Sequence, residues 1–358
     1  MIYNVSVNQM FVINGRFLTR RITGVERYGR EVTKRLVDRI RIIKPEGELR
    51  NGWGHYWEQV GLPRQLEPDE VLWSPANTGP LSVQNQVVTI HDVSVIDHPE
   101  WFNSAFAAWY RWLLPKLVAR AAFVLAASSY SYIRLVHAFQ ICGEKIKVVP
   151  GGVDLSFFHP SIDEEQRKVR LKYSLSMPYI LFVGTLEPRK NLAGLLRAWR
   201  RFSDEECGVE LVIAGTTGAA FRHDPMNSIP PGVKSLGYVP NEDLPGLYSG
   251  AEVFVLPSRY EGFGLTALEA MACGTPVIAS NEAALPEVVG NAGWLVDSKS
   301  SKNQEEEIVW AMRCLLEDTK LHEEFRKKGF ERARQFSWDK TAQETLTVLE
   351  QVGSYVNQ

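Results

Sequence analysis

Short apolar runs, many of them β-branched, alternate along the whole chain with longer stretches in which apolar residues recur every three or four positions. The short runs predict strands and the longer stretches predict amphipathic helices. The predicted strands are residues 10–13, 40–43, 71–73, 87–90, 123–126, 146–149, 179–183, 210–214, 253–256, 276–279 and 294–296. The predicted helices are residues 24–37, 104–120, 129–139, 191–202, 242–249 and 264–273. This alternation is typical of an α/β fold with doubly wound parallel sheets.

The chain of 358 residues is long enough for two such domains. Two glycines and two prolines fall within residues 150–160, just before a charged run, and we place the interdomain linker there. We expect an N-terminal domain over residues 1–155 and a C-terminal domain over residues 156–336. Beyond residue 300 the pattern is helical and charged, and Ser337 is the predicted N-cap of a last helix. We expect this helix, residues 337–358, to complete the N-terminal domain.

The net charge of −2 hides an asymmetry between the two halves. Residues 1–150 carry 18 Lys and Arg against 13 Asp and Glu, whereas residues 151–358 carry 22 against 29. A basic N-terminal half suits an anionic partner, although a solvated basic face is the more common interpretation. The excess is too small for a dedicated nucleic-acid binder, and the ordinary composition excludes disordered, collagen-like and coiled-coil proteins.

Four cysteines, Cys142, Cys207, Cys273 and Cys314, lie far apart and form no Cys-x-x-Cys pair. Neither a zinc knuckle nor a disulfide framework is therefore predicted, and a reducing compartment fits best. The first residues lack a charged segment followed by an apolar stretch, and no apolar run approaches the roughly 18 residues that span a bilayer. We expect a cytoplasmic protein, bound at most to the inner face of the membrane.

Adjacent basic residues follow one predicted strand in the second half. Arg189 and Lys190 come after the strand 179–183 and the residues Gly184 and Thr185, just before a helix. Ligands of parallel sheets bind at the carboxyl ends of strands, and a helix N-terminus already favours negative charge. The pair therefore indicates a diphosphate site. The alternative is a solvated loop capped by Asn191.

Two glutamates flank a glycine-containing helix start after the strand 253–256. Between Glu261 and Glu269, the glycines 262 and 264 let the backbone approach a ligand, with the helix amides aimed at phosphate or sugar oxygens. Two surface glutamates around an ordinary helix start are the alternative. Gly262 to Ala267 also fits a dinucleotide fingerprint, with Glu282 after it, but three residues, 259–261, separate Ser258 from the glycines.

Two further candidates lie in the first half. His91 and Asp92 end the strand 87–90, where a histidine can hydrogen-bond a substrate oxygen and a carboxylate can orient it. Such a pair is also a common structural feature. Gly24, preceded by the basic residues 20 and 21, opens the first long helix and predicts a contact with phosphate, or simply a helix start with Thr23 as its cap.

Several signatures are missing from the sequence. No Asp-x-Asp, His-Glu-x-x-His, Gly-x-Ser-x-Gly or P-loop pattern occurs. Metal-held phosphates, zinc hydrolysis, serine nucleophiles and P-loop chemistry thus lose their usual support.

Taken together, these segments resemble the retaining nucleotide-sugar glycosyltransferases of family four. The match is specific in residues 183–191, 260–264 and 269–280, and it extends to residues 22–28, 89–92 and 149–154. The resemblance implies the GT-B architecture, two facing Rossmann-like domains with a cleft between them. Two departures stand out: Thr23 replaces a glycine of the first loop, and Gly151 replaces the usual asparagine of the linker motif.

The resemblance also implies residue roles. Arg189 and Lys190 bind the donor diphosphate, Glu261 the hydroxyls of the transferred sugar, and Glu269 the nucleotide ribose. His91 completes the catalytic set with Arg189, Lys190 and Glu261. The expected substrate-binding residues are Gly24, Asp92, Gly184, Thr185, Gly262, Phe263, Gly264, Leu265, Thr266 and Glu269. No metal and no cofactor are expected.

The enzyme expected from this resemblance transfers a hexose from a nucleoside diphosphate sugar, and the expected donor is GDP-mannose. Its acceptor is a saccharide or a lipid-linked saccharide of an O-antigen-like surface polysaccharide. The alternatives are a UDP- or dTDP-sugar donor, an NAD-dependent oxidoreductase, and a sugar-binding protein without turnover. An aromatic and basic stretch, residues 101–116, indicates peripheral membrane contact, although helix core is the more common interpretation of such aromatic residues.

Overall fold

The protein is described from a computed structural model, which covers residues 10–47, 49, 52–203, 208–218, 220, 229–297 and 301–356. Within these residues the strands form two sheets of six, and every pairing between neighbouring strands is parallel. This confirms the predicted fold of two doubly wound parallel sheets. Cys207 and the first nine residues, on which the expectation about a charged and apolar start rests, lie outside the described residues.

The first sheet is built from the N-terminal half. Its strands are β1 (Phe11–Asn14), β2 (Ile40–Ile43), β3 (Val71–Ser74), β4 (Gln86–Ile90), β5 (Phe123–Ala126) and β6 (Ile146–Val148), in the order β2-β1-β3-β4-β5-β6. The helices along this half are α1 (Gly24–Leu36), α2 (Trp53–Tyr56), α3 (Ser94–Asp97), α4 (Ser104–Arg120) and α5 (Ser129–Phe139).

The second sheet follows. Its strands are β7 (Tyr179–Val183), β8 (Glu210–Ala214), β9 (Val233–Gly237), β10 (Val253–Leu256), β11 (Val277–Ser280) and β12 (Trp294–Val296), in the order β12-β11-β10-β7-β8-β9. The remaining helices are α6 (Asp163–Lys172), α7 (Leu192–Ser203), α8 (Leu244–Ser249), α9 (Leu265–Ala272), α10 (Leu285–Val289), α11 (Ser301–Glu317), α12 (Thr319–Ala333) and α13 (Trp338–Val356).

One strand of the second sheet has no counterpart among the predicted strands. β9 reads Val-Lys-Ser-Leu-Gly, is largely half-buried, and pairs only with β8 at the edge of the sheet. An edge strand faces solvent along one side, and so it carries no continuous apolar run to detect. The other predicted strands match the observed ones to within one or two residues at an end.

The chain divides into two compact units. The first comprises Met1–Ile96, Ala108–Gly152 and Trp338–Gln358, and the second comprises Asp97–Ala107 and Val153–Ser337. The last helix, α13, thus belongs to the first unit and begins directly after Ser337. Residues 97–107 pack with the second unit, although nothing in their sequence separates them from the neighbouring segments.

The core of the second unit shows why its sheet is a firm platform. In α7 the buried residues Leu192, Leu195, Leu196, Trp199 and Phe202 recur every three or four positions and form one apolar face. That face packs against the buried side chains of the central strands, in one cluster that α11 also joins. A fully buried side chain of this size contributes about 1.5–3 kcal/mol. The loops at the strand ends therefore rest on a fixed support.

Among the described residues, no helix is both long and apolar enough to cross a membrane. The three described cysteines, Cys142, Cys273 and Cys314, are unpaired.

Candidate functional site

Two loops meet at the carboxyl edge of the second sheet. β7 is followed by Gly184 and then by a 3₁₀ turn, Pro188–Lys190, whereas β10 is followed by the loop 257–264 that leads into α9. Because β7 and β10 are neighbours in a parallel sheet, their carboxyl ends lie side by side. The predicted site residues on these two loops are therefore brought together.

The side chain of Glu261 joins the two loops. Its Oε1 accepts hydrogen bonds from Lys190 Nζ at 2.6 Å and from Ser258 Oγ at 2.7 Å, and its Oε2 accepts from Arg189 Nη1 at 3.0 Å. Burial alone would raise the pKa of Glu261, but the charges of Lys190 and Arg189 and the hydrogen bonds outweigh it and hold this pKa below its usual range. Glu261 is therefore an ionised carboxylate that fixes both cations in place.

Backbone contacts hold the same two loops in register. The amide of Arg259 donates to the carbonyl oxygen of Arg189 at 2.7 Å, and Arg189 Nη1 lies 3.3 Å from the carbonyl oxygen of Tyr260. Behind them, the amide of Ala284 donates to the carbonyl oxygen of Glu261 at 3.3 Å. The cations are thus preorganised, which is the property that electrostatic catalysis requires.

Gly264 turns the chain from this loop into α9. Its φ is +114°, and a Cβ there would lie 2.8 Å from Leu285 Cδ2, so no other residue fits without strain. The first intrahelical bonds run from the amides of Ala267 and Leu268 to the Gly264 carbonyl. The amides of Leu265 and Thr266 precede them, at the positive end of the helix dipole.

Other predicted residues lie around this helix start. Phe263 is buried, with its ring 5.7 Å from that of Phe336. Glu269, one turn after Leu265, is buried and accepts from the hydroxyl of Tyr248 at 3.0 Å. Glu269 and Leu265 are four positions apart and so lie on the same side of α9.

The strand ends of β7 and β8 approach closely at two glycines. Gly215 has a φ of +156°, and a Cβ there would lie 1.8 Å from the carbonyl oxygen of Gly184. Leu186 and Thr217 then form an isolated bridge. This pairing holds Gly184 and Thr185 at the strand end, just before the turn that carries the two cations.

Sequence reasoning missed two residues of the site, Ser258 and Glu187. Glu187 is only 1% exposed, and its Oε1 lies 2.8 Å from Arg189 Nη2. Burial raises the pKa of Glu187 and the nearby Glu261 adds to this, whereas Arg189 and Lys190 act against it. The only sequence signal was a carboxylate two positions before the basic pair.

His91 and its neighbours belong to the first unit. The Nε2 of His91 lies 2.8 Å from the carbonyl oxygen of Pro75, and its ring meets that of Tyr28 edge to face at 4.8 Å. Burial lowers the pKa of His91, although the Pro75 carbonyl and nearby carboxylates oppose the shift. A carbonyl only accepts hydrogen bonds, so Nε2 carries the proton and the ring is neutral at pH 7.

The other first-unit candidates make local contacts. Asp92 accepts from both the amide and the hydroxyl of Ser94, at 2.9 and 2.6 Å, rather than from the ring of His91. At the start of α1, the amide and the hydroxyl of Thr23 both donate to the carboxylate of Glu26. Gly24 is thereby placed at the first position of the helix.

The dinucleotide alternative fits this geometry poorly. Eight residues, 257–264, separate the end of β10 from α9, whereas a dinucleotide fingerprint turns tightly from strand to helix. Glu282 follows β11, and its backbone carbonyl accepts the amide of Leu285.

Two family profiles match the chain. The profile described as "Glycosyl transferases group 1" matches residues 163–332, and "Glycosyltransferase Family 4" matches residues 26–157. Each profile falls on one half of the chain, and together they account for most of its length.

Curated relatives carry glycosyltransferase names. An O-antigen chain mannosyltransferase B of Escherichia coli is 33% identical over 78% of this chain and 73% of that protein. An MMP α-(1→4)-mannosyltransferase of Mycolicibacterium hassiacum is 31% identical over 75% of this chain and 64% of that protein. A D-inositol 3-phosphate glycosyltransferase of Jonesia denitrificans is 35% identical over 58% of this chain and 51% of that protein.

Solved structures share the fold at low sequence identity. Anabaena Alr3699/HepE, solved with UDP and glucose, superposes with a TM-score of 0.75 at 19% identity and covers 95% of this chain and 99% of its own. WaaG, a glycosyltransferase of lipopolysaccharide biosynthesis, gives a TM-score of 0.72 at 14% identity, over 95% and 98% of the two chains. The fold is therefore that of the GT-B glycosyltransferases, with two Rossmann-like domains. Since the profiles, the relative from Escherichia coli and the fold agree, the chain belongs to the group 1, family 4 glycosyltransferases that its motifs resemble.

Proposed function

We propose that this glycosyltransferase moves mannose from GDP-mannose to a saccharide or lipid-linked saccharide acceptor of a surface polysaccharide, with retention at the anomeric carbon and without a metal ion. The observation that carries the proposal is the cluster of Arg189, Lys190 and Glu261 beside the first turn of α9. Two fixed cations and the amides of a helix N-terminus converge there, which suits a diphosphate.

The proposed reaction requires stabilisation of the leaving diphosphate. As the bond between the anomeric carbon and the diphosphate oxygen breaks, negative charge grows on the phosphate and positive charge on the sugar ring. We assign Arg189 and Lys190 to stabilise the first charge, together with the amides of Leu265 and Thr266. In this proposal these groups supply the positive charge that a metal provides elsewhere, and EDTA leaves the rate unchanged. We assign no residue as a nucleophile or as the base for the acceptor hydroxyl.

The choice of mannose rests on the relatives. The names of two of them specify mannosyl transfer, and one acts on an O-antigen chain. A UDP-sugar is the second candidate donor, because the HepE structures hold UDP and UDP-glucose in the same fold. At 19% identity that likeness concerns the fold alone.

A lipid-linked acceptor is supported by a surface cluster of the first unit, which we call the aromatic patch: Trp53, Tyr56, Trp109, Trp112 and Lys116. Trp53 and Tyr56 on α2 are 63% and 58% exposed, and Trp112 on α4 is 47% exposed. The rings of Trp109 and Trp112 lie 5.2 Å apart, and Lys116 Nζ lies 4.7 Å over the ring of Trp112.

A neutral histidine connects α2 with α4, the two helices that carry the aromatic patch. His55 on α2 accepts from Trp109 Nε1 at 3.1 Å and lies 3.0 Å from Arg16 Nη1, both through its Nδ1. Burial, aided by the charges of Arg16 and Arg20, lowers the pKa of His55 to about 3, so it stays an acceptor at neutral pH.

The segment of the first unit that contains α4 is basic. Residues 108–150 hold six Lys and Arg but one acidic residue. Exposed tryptophans beside basic residues favour the interface of an anionic bilayer. The predicted stretch 101–116 is divided by the fold, since Phe102 and Tyr110 are buried core whereas Trp112 and Lys116 are exposed.

A panel of nucleotide sugars tests the proposed donor. Purified protein is mixed with GDP-mannose, UDP-glucose, a dTDP-sugar, an ADP-sugar or NAD, and thermal stabilisation and slow donor hydrolysis are measured. We expect the largest stabilisation and the fastest hydrolysis with GDP-mannose, unchanged by EDTA. Stabilisation by a UDP-sugar alone would identify that sugar nucleotide as the donor in place of GDP-mannose. Stabilisation by NAD alone would overturn the assignment of the site.

A further inference from the structure

Glu187 is a second carboxylate beside Arg189 and Lys190, and the proposed reaction assigns it no role. It immediately precedes the turn Pro188–Lys190, and its side chain is almost completely buried. Its Oε1 forms an ion pair with Arg189 Nη2 at 2.8 Å, and among the residues that the structure describes no group other than Arg189 donates to either carboxylate oxygen. Buried carboxylates are usually satisfied by several donors, so this one is exceptional.

The charges of Arg189, Lys190, Glu187 and Glu261 balance one another without a ligand. Arg189 contacts both Glu187 and Glu261, at 2.8 and 3.0 Å, and Lys190 contacts Glu261 at 2.6 Å. Two cations thus face two carboxylates. A diphosphate that binds the same cations adds at least two negative charges to a largely buried site, and a cluster with such an excess is strongly unfavourable.

Protonation of one carboxylate relieves this excess, and the contacts decide which one. Glu261 accepts from Lys190, Arg189 and Ser258, all of which favour its ionised form. Glu187 has only its ion pair, and burial together with the charge of Glu261 raises its pKa against the effects of Arg189 and Lys190. The charged groups that act on Glu187 are these three residues, two on its own turn and one on the loop after β10.

We propose that Glu187 is a proton-accepting counter-charge of the donor site: it balances Arg189 in the free protein and binds a proton from solvent when a nucleoside diphosphate sugar occupies the cations. The proton adds to a carboxylate oxygen and leaves again when the nucleoside diphosphate departs. No other bond is made or broken. Glu187 is thus a positioning residue that acts through Arg189, and this inference rests on the proposed function of the site.

Proton uptake makes donor binding depend on pH with a definite sign. A protein that gains a proton on binding binds more tightly at low pH, and its affinity falls by up to about tenfold per pH unit as pH rises. The diphosphate of a nucleotide sugar is a diester with no ionisation near neutrality, so the protein is the source of the effect.

The test is isothermal titration of the 358-residue chain with GDP-mannose, and with UDP-glucose if the panel favours it, from pH 6 to pH 8. Pairs of buffers with different ionisation enthalpies give the number of protons taken up. We expect uptake of up to one proton by the wild-type protein. In Glu187→Gln, which resembles the protonated acid, uptake vanishes, and the variant binds donor more tightly than wild type at pH 8 but equally at low pH.

Two further variants make the result specific. Glu187→Asp keeps an ionisable group and restores proton uptake, which a merely structural role of this side chain does not predict. Glu164→Gln removes a carboxylate of an exposed i, i+4 pair with Lys168 and leaves both affinity and uptake unchanged. If Glu187→Gln does not fold, the Glu187→Asp protein still decides the question, because its shorter side chain displaces the pH range of uptake.

The two possible failures differ. Binding by the wild-type protein with an uptake that Glu187→Gln does not alter overturns the role of Glu187 and leaves the donor site standing. Absence of binding by any nucleotide sugar overturns both the proposed function and this inference.

Discussion

Lys190 and Glu261 lie 71 positions apart in sequence, yet Lys190 Nζ donates to Glu261 Oε1 at 2.6 Å. Neither loop alone specifies this contact. It exists because β7 and β10, which precede the two loops, are neighbours in one parallel sheet. The position of the Lys190 ammonium group is therefore set by the fold, which brings Glu261 to it, and not by its own loop alone.

Replacement of the lysine separates its catalytic role from its structural one. In Lys190→Ala we expect turnover to fall on the order of 10²-fold or more, since a preorganised cation at the leaving group is lost. The variant also leaves Glu261 with one fewer partner in a buried site, at about 3–5 kcal/mol. Transfer assays and urea unfolding measure the two effects.

The double variant Lys190→Met/Glu261→Gln serves as the control for that experiment. It has no uncompensated charge and should recover much of the lost stability without recovering turnover. Full transfer activity in Lys190→Ala would contradict the role that we assign to the residue.

The ion pairs of Glu261 predict how stability depends on acid. The folded pKa of Glu261 is lowered, so its contribution to stability is present above the ordinary glutamate pKa of about 4.3 and is lost as pH falls through the folded value. Urea unfolding of wild type and Glu261→Gln should show a difference at pH 7 that shrinks below about pH 4. A difference that stays constant down to pH 3 is incompatible with this cause.

Gly264 predicts a local effect on binding. In Gly264→Ala, the positive φ and the approach of Leu285 should cost about 1–3 kcal/mol and displace the first amides of α9. Donor affinity, measured by titration, falls as a result. Gly208→Ala is a matched control, because Gly208 has a φ of +113° and no atom of the described residues lies within 4 Å of the added Cβ. Equal donor affinity in the two variants would show that the helix start does not bind the ligand.

His91 should stay neutral across the working pH range. Burial lowers its pKa, and the carbonyl of Pro75 fixes the proton on Nε2. Nitrogen NMR of the His91 ring should show one protonated Nε2 from pH 6 to pH 8, with free histidine as the reference that titrates. A midpoint at or above about 6.5 for His91 would refute this assignment, and a histidine-dependent limb in the rate profile would then be expected.

The aromatic patch predicts association with anionic vesicles. In a flotation assay, wild-type protein should float with vesicles that contain an anionic lipid, and Trp53→Ser/Trp112→Ser should remain at the bottom. Trp310→Ser is a useful comparison, because Trp310 is 61% exposed but belongs to the second unit. A wild-type protein that fails to float with or without anionic lipid would remove the membrane contact.

Much of the fold follows from the sequence because parallel strands are buried on both faces. β5, β7 and β10 coincide with their predicted ranges, since each is a continuous apolar run bounded by polar or turn residues. β9 was missed for the opposite reason, because its Lys and Ser face a half-exposed edge. Residues 97–107 also carry no signal, since their assignment to the second unit depends on contacts such as that of Tyr260 with Asp97.

The sequence by itself determined which residues lie at strand ends, because short apolar runs locate the strands and therefore also the polar residues that follow them. It therefore selected Arg189, Lys190 and Glu261. Only the tertiary structure decided which groups meet: Glu261 holds both cations, Glu187 is buried beside them, and Asp92 binds Ser94 rather than His91. Strand order and burial set those distances, and they also set the pKa values, because both depend on neighbours that are distant along the chain.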